Sequence, residues 1–230
     1  MRNLNALSGI GLIRKAEILS FSAAILAVLM IPIAYGGRRN AGILLLLLLT
    51  VAALAIAALV VELVGVSRAA KDASAFQTAK SAIIAGLVVA VIGALVPDEN
   101  PLDLILELVS DACSLCATVY IMKGLISMAR NYSRKDVAAA GQGLLRLLLI
   151  TGVAAMGAEI LIWSASSKPD SLFYLLFFCA VALVIGIIQF VLFMRYTKTI
   201  MDLIIQGNTK DWAAEGAQMP QRNYEWEQRL

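Results

Sequence analysis

The sequence contains no histidine, and only 15% of its 230 residues are charged. The absence of histidine excludes mechanisms that use an imidazole as a general base, including the serine–histidine and cysteine–histidine types. Three cysteines do not make the disulfide framework of a small secreted domain. The sequence also lacks a Walker A motif, a dinucleotide-binding glycine pattern and an HExxH zinc motif. We therefore predict no catalytic residue, no cofactor and no metal site, and we expect that the protein is not an enzyme.

Apolar residues make up 60% of the sequence, whereas soluble globular domains contain roughly 45–50%. One soluble core cannot bury this excess, so the composition indicates a chain that is surrounded by lipid. The same composition excludes a soluble enzyme, a nucleic-acid-binding module and a disordered protein. The sequence therefore predicts an all-α integral membrane protein whose main partner is the lipid bilayer.

Six segments approach the roughly 20 apolar residues that a helix needs to cross a bilayer. They cover residues 17–35, 41–66, 79–96, 102–128, 143–164 and 171–197. The connectors after the first, third and fifth segments are short, and those after the second and fourth are longer and charged. This alternation predicts three antiparallel hairpins. We divide the chain into a transmembrane domain at residues 1–203 and a polar cytoplasmic tail at 204–230, which we expect to be mobile.

The placement of basic residues predicts the orientation of the chain in the membrane. Of the 19 lysines and arginines, only Arg38, Arg39 and Lys168 lie on the side of the short connectors. The positive-inside rule therefore predicts that both termini are cytoplasmic. We expect a bacterial cytoplasmic membrane, and we interpret the first apolar segment as an uncleaved span because it is too long for a typical signal peptide.

Four carboxylates lie within the predicted spans, where a central charge costs about 2.5–3.5 kcal/mol on insertion scales. Glu62 is one turn from the cytoplasmic end of its span, and we interpret it as a rim residue near Arg68. Glu107 and Asp111 lie about 8 Å and about 14 Å below the outer end of the fourth span. They are four residues apart and share a helix face. Glu159 lies at a depth similar to that of Glu107 on the fifth span.

Hydroxyl residues extend these acidic faces at helical spacing. Ser114 and Thr118 follow Asp111 on the fourth span, and Thr151 lies on the same face of the fifth span as Glu159. If the two faces meet, the carboxylates share one pocket. No basic residue of the spans lies at that depth, so the acids must be protonated, hydrated or bound to a cation. The residues predicted to bind protons or cations are Glu107, Asp111, Ser114, Thr118 and Glu159.

These residues favour a small transporter or channel, or a subunit of one, with an outward-facing carboxylate cluster. The alternative is a non-catalytic membrane scaffold or accessory protein in which the acids have a structural role. Residues 101–110 would then lie along the outer surface of the bilayer, with the span starting near Asp111. A scaffold would bind another membrane protein, or a second copy of the chain, through the basic cytoplasmic face and the aromatic residues of the tail.

Cys113 and Cys116 form a CxxC pair within the fourth span. In soluble proteins this spacing indicates thiol redox chemistry. Quinone-linked membrane thiol oxidoreductases also use a second cysteine pair, and this chain has only one further cysteine, Cys179. We therefore interpret both residues as small apolar side chains, and a redox role is the less favoured alternative.

Overall fold

The apolar segments of the sequence fold into long helices. The structure is a computed structural model that describes residues 3–35, 41–96, 101–165 and 171–214. Within these ranges every regular element is an α-helix, which confirms the predicted all-α class. The helices are α1 (Leu4–Tyr35), α2 (Ala41–Ala69), α3 (Ser74–Gly93), α4 (Pro101–Asn131), α5 (Lys135–Ala165) and α6 (Ser171–Ala214).

Five of the described helices, α2 to α6, are long and apolar enough to cross a membrane. The most apolar is α2, which contains the leucine run at residues 44–49. The described part of α1 is not among the five. The protein is thus a multi-pass helical membrane protein, and a sixth span through α1 stays a prediction.

Each described helix packs against the next one along the chain, and α6 also packs against α1. The contacts between α1 and α2 and those between α3 and α4 are the most extensive. The rings of Phe21 on α1 and Phe190 on α6 stack with their centroids 4.4 Å apart. The helices therefore pack in chain order with α6 returning to α1, and α4 also contacts α6.

Two glycines allow the backbones of α1 and α2 to touch. A Cβ atom on Gly9 would lie 2.5 Å from the carbonyl oxygen of Gly65 and 2.7 Å from the backbone nitrogen of Ala69. A Cβ atom on Gly65 would lie 2.8 Å from the carbonyl oxygen of Gly9. Small residues at a helix crossing permit this close approach. Because Gly9 is near the start of α1 and Gly65 is near the end of α2, the two helices are antiparallel.

The hydrophobic core lies at the end of the bundle that carries the α2–α3 and α4–α5 connectors, which we name the basic end. Its largest fully buried apolar side chains are Ile10, Ile13, Val66, Phe76, Met122, Leu125, Met128, Ile200 and Ile204. Several of them lie outside the predicted apolar spans, because the helices extend further at this end. Packing of one helix face stabilises such polar extensions.

The longest extensions are those of α1 and α6. The first helix begins at Leu4 rather than at residue 17, and the last one continues to Ala214 rather than ending at residue 197. The extension of α6 includes the first part of the segment that was predicted to be a mobile tail. The remainder of that segment, residues 215–230, lies outside the described residues.

Polar side chains join helix ends around the core. Asp72, between α2 and α3, accepts a 2.7 Å hydrogen bond from the backbone N–H of Ala6 in the first turn of α1. Its other carboxylate oxygen accepts a 3.2 Å hydrogen bond from Asn5 Nδ2. Beside the α4–α5 connector, Arg134 and Asp136 form a hydrogen-bonded ion pair with an N–O distance of 2.8 Å. The hydrogen bond to Asp136 raises the pKa of the Arg134 guanidinium. These contacts tie the connectors to the ends of the helices.

The half of the bundle away from the basic end has much more exposed apolar surface, and we name it the open half. Leu46 on α2 is 67% exposed and Leu95 after α3 is 82% exposed. Apolar side chains of this kind are suited to contact with the hydrocarbon of a bilayer. The bundle is thus tightly packed at one end and separates into more loosely packed helices at the other.

Candidate functional site

A cavity of about 690 Å³ lies between α4, α5 and α6. Its volume falls within the range of roughly 300–1,000 Å³ that is typical of small-molecule sites. Most of its surface is apolar, with contributions from residues such as Leu115, Met156 and Ile185. The polar residues that line it are Asp111, Ser114, Thr118, Thr151, Glu159 and Gln189. The cavity therefore combines an apolar wall with a few polar groups from three helices.

The period of the α-helix places the polar residues of α4 on one side of the cavity. Asp111, Ser114 and Thr118 are three and four residues apart, so they follow one face of α4. This helix is continuous from Pro101 to Asn131, so the acidic residues before and after position 110 belong to one helix. The Oγ1 atom of Thr118 donates a 3.1 Å hydrogen bond to the carbonyl oxygen of Ser114. Because its proton is used in this bond, the hydroxyl can only accept a further hydrogen bond.

Hydrogen bonds connect α5 to α6 at the part of the cavity nearer the basic end. Gln189 Nε2 donates to Thr151 Oγ1, and this hydroxyl donates a 2.8 Å bond to the carbonyl oxygen of Leu147. Next to Thr151, Gly152 allows α4 to come close, since a Cβ atom there would lie 2.6 Å from Leu115 Cδ1. A polar contact and a glycine therefore fix α5 between its two neighbours.

The two carboxylates that line the cavity come from different helices and lie close together. Asp111 on α4 and Glu159 on α5 both line the cavity, and the charges of Asp111 and Glu107 act on Glu159. The Oε2 atom of Glu159 is buried and has no hydrogen-bond partner. Among the described residues, no basic side chain lines the cavity. Because neighbouring carboxylates repel each other when both are ionised, this arrangement favours a proton or a cation as its occupant.

Packed side chains close the cavity toward the basic end. Leu144 is one turn beyond the cavity residue Leu148 on α5, and Phe193 is one turn beyond Gln189 on α6. Ile121 follows Thr118 on α4 in the same direction. Leu144, Phe193 and Ile121 are all buried members of the core. Within the described helices, the core therefore separates the cavity from the basic end.

Comparison with known proteins provides no family for this chain. No family model, curated protein or solved structure matches it.

The structure brings together most of the residues that were predicted to bind protons or cations. Four of them line the cavity: Asp111, Ser114, Thr118 and Glu159. Glu107 does not line it, because this side chain is exposed one turn away from Asp111. It interacts with Glu159 through its charge alone. The placement of these residues is thus observed, and ion binding by them stays a prediction.

The CxxC pair lies on a different side of α4 from the carboxylates. Cys113 and Cys116 are free thiols that line an open apolar groove of about 610 Å³ between α3 and α4. Ser110 is on the same side and donates a 3.4 Å hydrogen bond to the carbonyl oxygen of Gly86 on α3. The side chain of Cys179 lies outside the described part of the chain. The packing role of both thiols and the less favoured redox role stay predictions.

Glu62 has a neighbour on α1 that the sequence did not predict. It interacts with Glu17 on α1, across the contact between α1 and α2. Arg68 does not pair with it and instead donates a 2.9 Å hydrogen bond to Ser8 Oγ. Among the described residues, Glu62 and Arg68 form no ion pair, and the position of Glu62 at the rim of its span stays a prediction. One sequence signal was available, because Glu17 follows the buried Ile13 by four residues and so shares its helix face.

The contact between Gln189 and Thr151 was also missed. Gln189 is an uncharged polar residue within an otherwise apolar stretch of α6. Polar groups in such stretches commonly hydrogen-bond across helices, so the residue itself was a usable signal. Its partner was not predictable, since several helices could have faced it.

Proposed function

We propose that the protein is a small membrane transporter or channel, or a subunit of one, that binds a proton or a cation in the cavity between α4, α5 and α6. Asp111 and Glu159 supply the negative charge. The observation that carries the proposal is the buried, unpartnered Oε2 atom of Glu159 beside Asp111. A carboxylate in apolar surroundings needs a proton or a counter-charge, and a bound proton or cation meets that need.

The closed side of the cavity favours a carrier over a permanently open pore. The buried residues Leu144 and Phe193 lie between the cavity and the basic end. A ligand that enters from the open half would cross the membrane only after these helices separate at the core. Transporters work in this way, by alternately exposing a central site to the two sides.

The proposal includes the orientation of the chain. Arg68 and Lys71 lie beside the α2–α3 connector, and Arg130 and Arg134 lie beside the α4–α5 connector. By the positive-inside rule, this end faces the cytoplasm. The proposed protein has six spans with both termini in the cytoplasm, resides in the cytoplasmic membrane, and opens its cavity toward the outside. It has no enzymatic activity.

Carboxyl-stretch infrared difference spectra of the purified protein test the proposal. Spectra are recorded across pH with and without Na⁺ or K⁺, for the unaltered chain and for a triple variant with Glu107→Gln, Asp111→Asn and Glu159→Gln. We expect a cation-dependent change in the carboxyl bands of the unaltered protein and its loss in the triple variant. Glu62→Gln is the matched control, because it removes a carboxylate that interacts with Glu17 outside the cavity.

Carboxyl bands that titrate as free carboxylates and ignore cations would contradict the proposal. That result would favour the scaffold alternative, in which the acids only hold helices together. The basic end and the tail would then be the surfaces to test for a protein partner. A cation response that persists in the triple variant would equally contradict the assignment to Asp111 and Glu159.

A further inference from the structure

The cavity between α4, α5 and α6 is much larger than a proton or a bare metal ion requires. Its volume is about 690 Å³, within the range of roughly 300–1,000 Å³ that holds drug-sized ligands. The walls are formed largely by apolar residues, among them Leu115, Leu148, Met156, Val181 and Ile185. Such walls contribute little binding free energy to a hydrated ion. They bind an apolar group through burial of its surface and through dispersion contacts.

The polar groups of the cavity are separated along its length. Glu159 and Thr151 both line it and are eight residues apart on α5, which corresponds to about 12 Å along the helix. The small residue Ala155 lies between them and also lines the cavity. The carboxylates are therefore concentrated at one end, and the wall between the two polar positions leaves room for an apolar group.

Charge and shape together specify the class of ligand. We infer that this cavity binds an organic cation, an ammonium-like group carried on an apolar body, with the positive group beside Asp111 and Glu159. This inference rests on the proposed function and names its substrate class. Glu107, exposed beside the cavity, adds negative charge that attracts cations toward it.

Equilibrium dialysis of the full chain in detergent tests the inference with two probes of matched shape. Tetraphenylphosphonium is an apolar organic cation, and tetraphenylborate has the same four phenyl rings with a negative charge. Protein-free micelles measure the partitioning of each probe into detergent. We expect saturable binding of the phosphonium to the protein and no saturable binding of the borate.

Two variants separate the contribution of charge from that of space. Asp111→Asn combined with Glu159→Gln is expected to weaken phosphonium binding by at least about tenfold, because the buried positive charge loses its partners. Ala155→Phe is expected to abolish phosphonium binding by filling the cavity. Ile150→Phe is the matched control, since Ile150 is 69% exposed and does not line the cavity.

The outcomes distinguish this inference from the proposed function. Absence of saturable phosphonium binding, with carboxyl bands that still respond to Na⁺, K⁺ or pH, would overturn the organic cation and leave the small-cation site standing. Equal binding of both probes, or binding that survives Ala155→Phe, would also overturn it, because the probe would then occupy other apolar surface. If the unaltered protein shows neither saturable phosphonium binding nor carboxyl bands that respond to Na⁺, K⁺ or pH, the inference and the proposed function are both overturned.

Discussion

Gly9 and Gly65 set the distance between α1 and α2. We expect Gly9→Ala to destabilise the protein by about 1–3 kcal/mol through overpacking, because the added Cβ would lie 2.5 Å from the carbonyl oxygen of Gly65. The measurement is unfolding by a denaturing detergent in mixed micelles, followed by circular dichroism. Gly143→Ala is the control, since nothing lies within 4 Å of a Cβ atom at Gly143. We expect it to be neutral or to stabilise the helix by up to about 1 kcal/mol. Equal effects of the two variants would show that the close approach is unimportant.

Thr151 and Gln189 form the polar contact at the inner part of the cavity. Thr151→Val keeps the shape of the side chain but removes the acceptor of the Gln189 amide. We expect a loss of about 0.6–1.7 kcal/mol in the free energy of unfolding, the range for hydrogen bonds between membrane helices. A double-mutant cycle with Gln189→Leu measures the coupling. Strictly additive effects would mean that the two side chains do not stabilise each other.

At the scale of the helices, Asp72 caps α1 although it is distant in sequence. It accepts a hydrogen bond from the backbone N–H of Ala6, one of the N–H groups that lack a partner within the helix. We expect Asp72→Ala to cost about 1 kcal/mol, typical of a lost helix cap, and to speed amide hydrogen exchange in the first turns of α1. Asp136→Ala is the comparison, because it removes an exposed ion pair in the first turn of α5, and exposed pairs contribute little to stability. Unchanged exchange in α1 after Asp72→Ala would contradict this role.

The helix starts in the open half were predictable to within about one residue. The helix termini at the basic end, whether starts or ends, were not. The sequence predicts spans that begin at residues 41, 102 and 171, and the helices begin at Ala41, Pro101 and Ser171. At the basic end, α1 begins thirteen residues before its predicted span. The physical reason is that hydropathy detects contact with lipid, while the extensions are amphipathic and stay helical because one face packs in the core.

At the scale of the whole molecule, the basic end and the open half make the orientation testable. In a background without the native cysteines, Ser133→Cys labels the α4–α5 connector, and Asp98→Cys labels the polar sequence that joins α3 to α4. A membrane-impermeant maleimide is expected to modify Asp98→Cys in right-side-out vesicles and Ser133→Cys in inverted vesicles, as the positive-inside rule requires. The reverse pattern would place the basic end outside and would contradict the proposed topology.

The acidic site was predictable in part because helix geometry is periodic. Asp111, Ser114 and Thr118 share a face at spacings of three and four residues, and this spacing alone places them together. Contact between that face and Glu159 could only be assumed, because the sequence does not show which helices are neighbours. The interaction of Glu62 with Glu17 was missed for the same reason.

The sequence by itself determined the class of this protein, an all-α chain with long apolar segments, because lipid solvation and backbone hydrogen bonding leave few other solutions. It also determined which residues of one helix share a face. Only the tertiary structure decided that α4, α5 and α6 enclose one cavity, that Gln189 bonds to Thr151 and that the core lies at the basic end. Those features depend on side-chain packing between distant segments, and close packing of this kind is a property of the assembled bundle rather than of any segment in it.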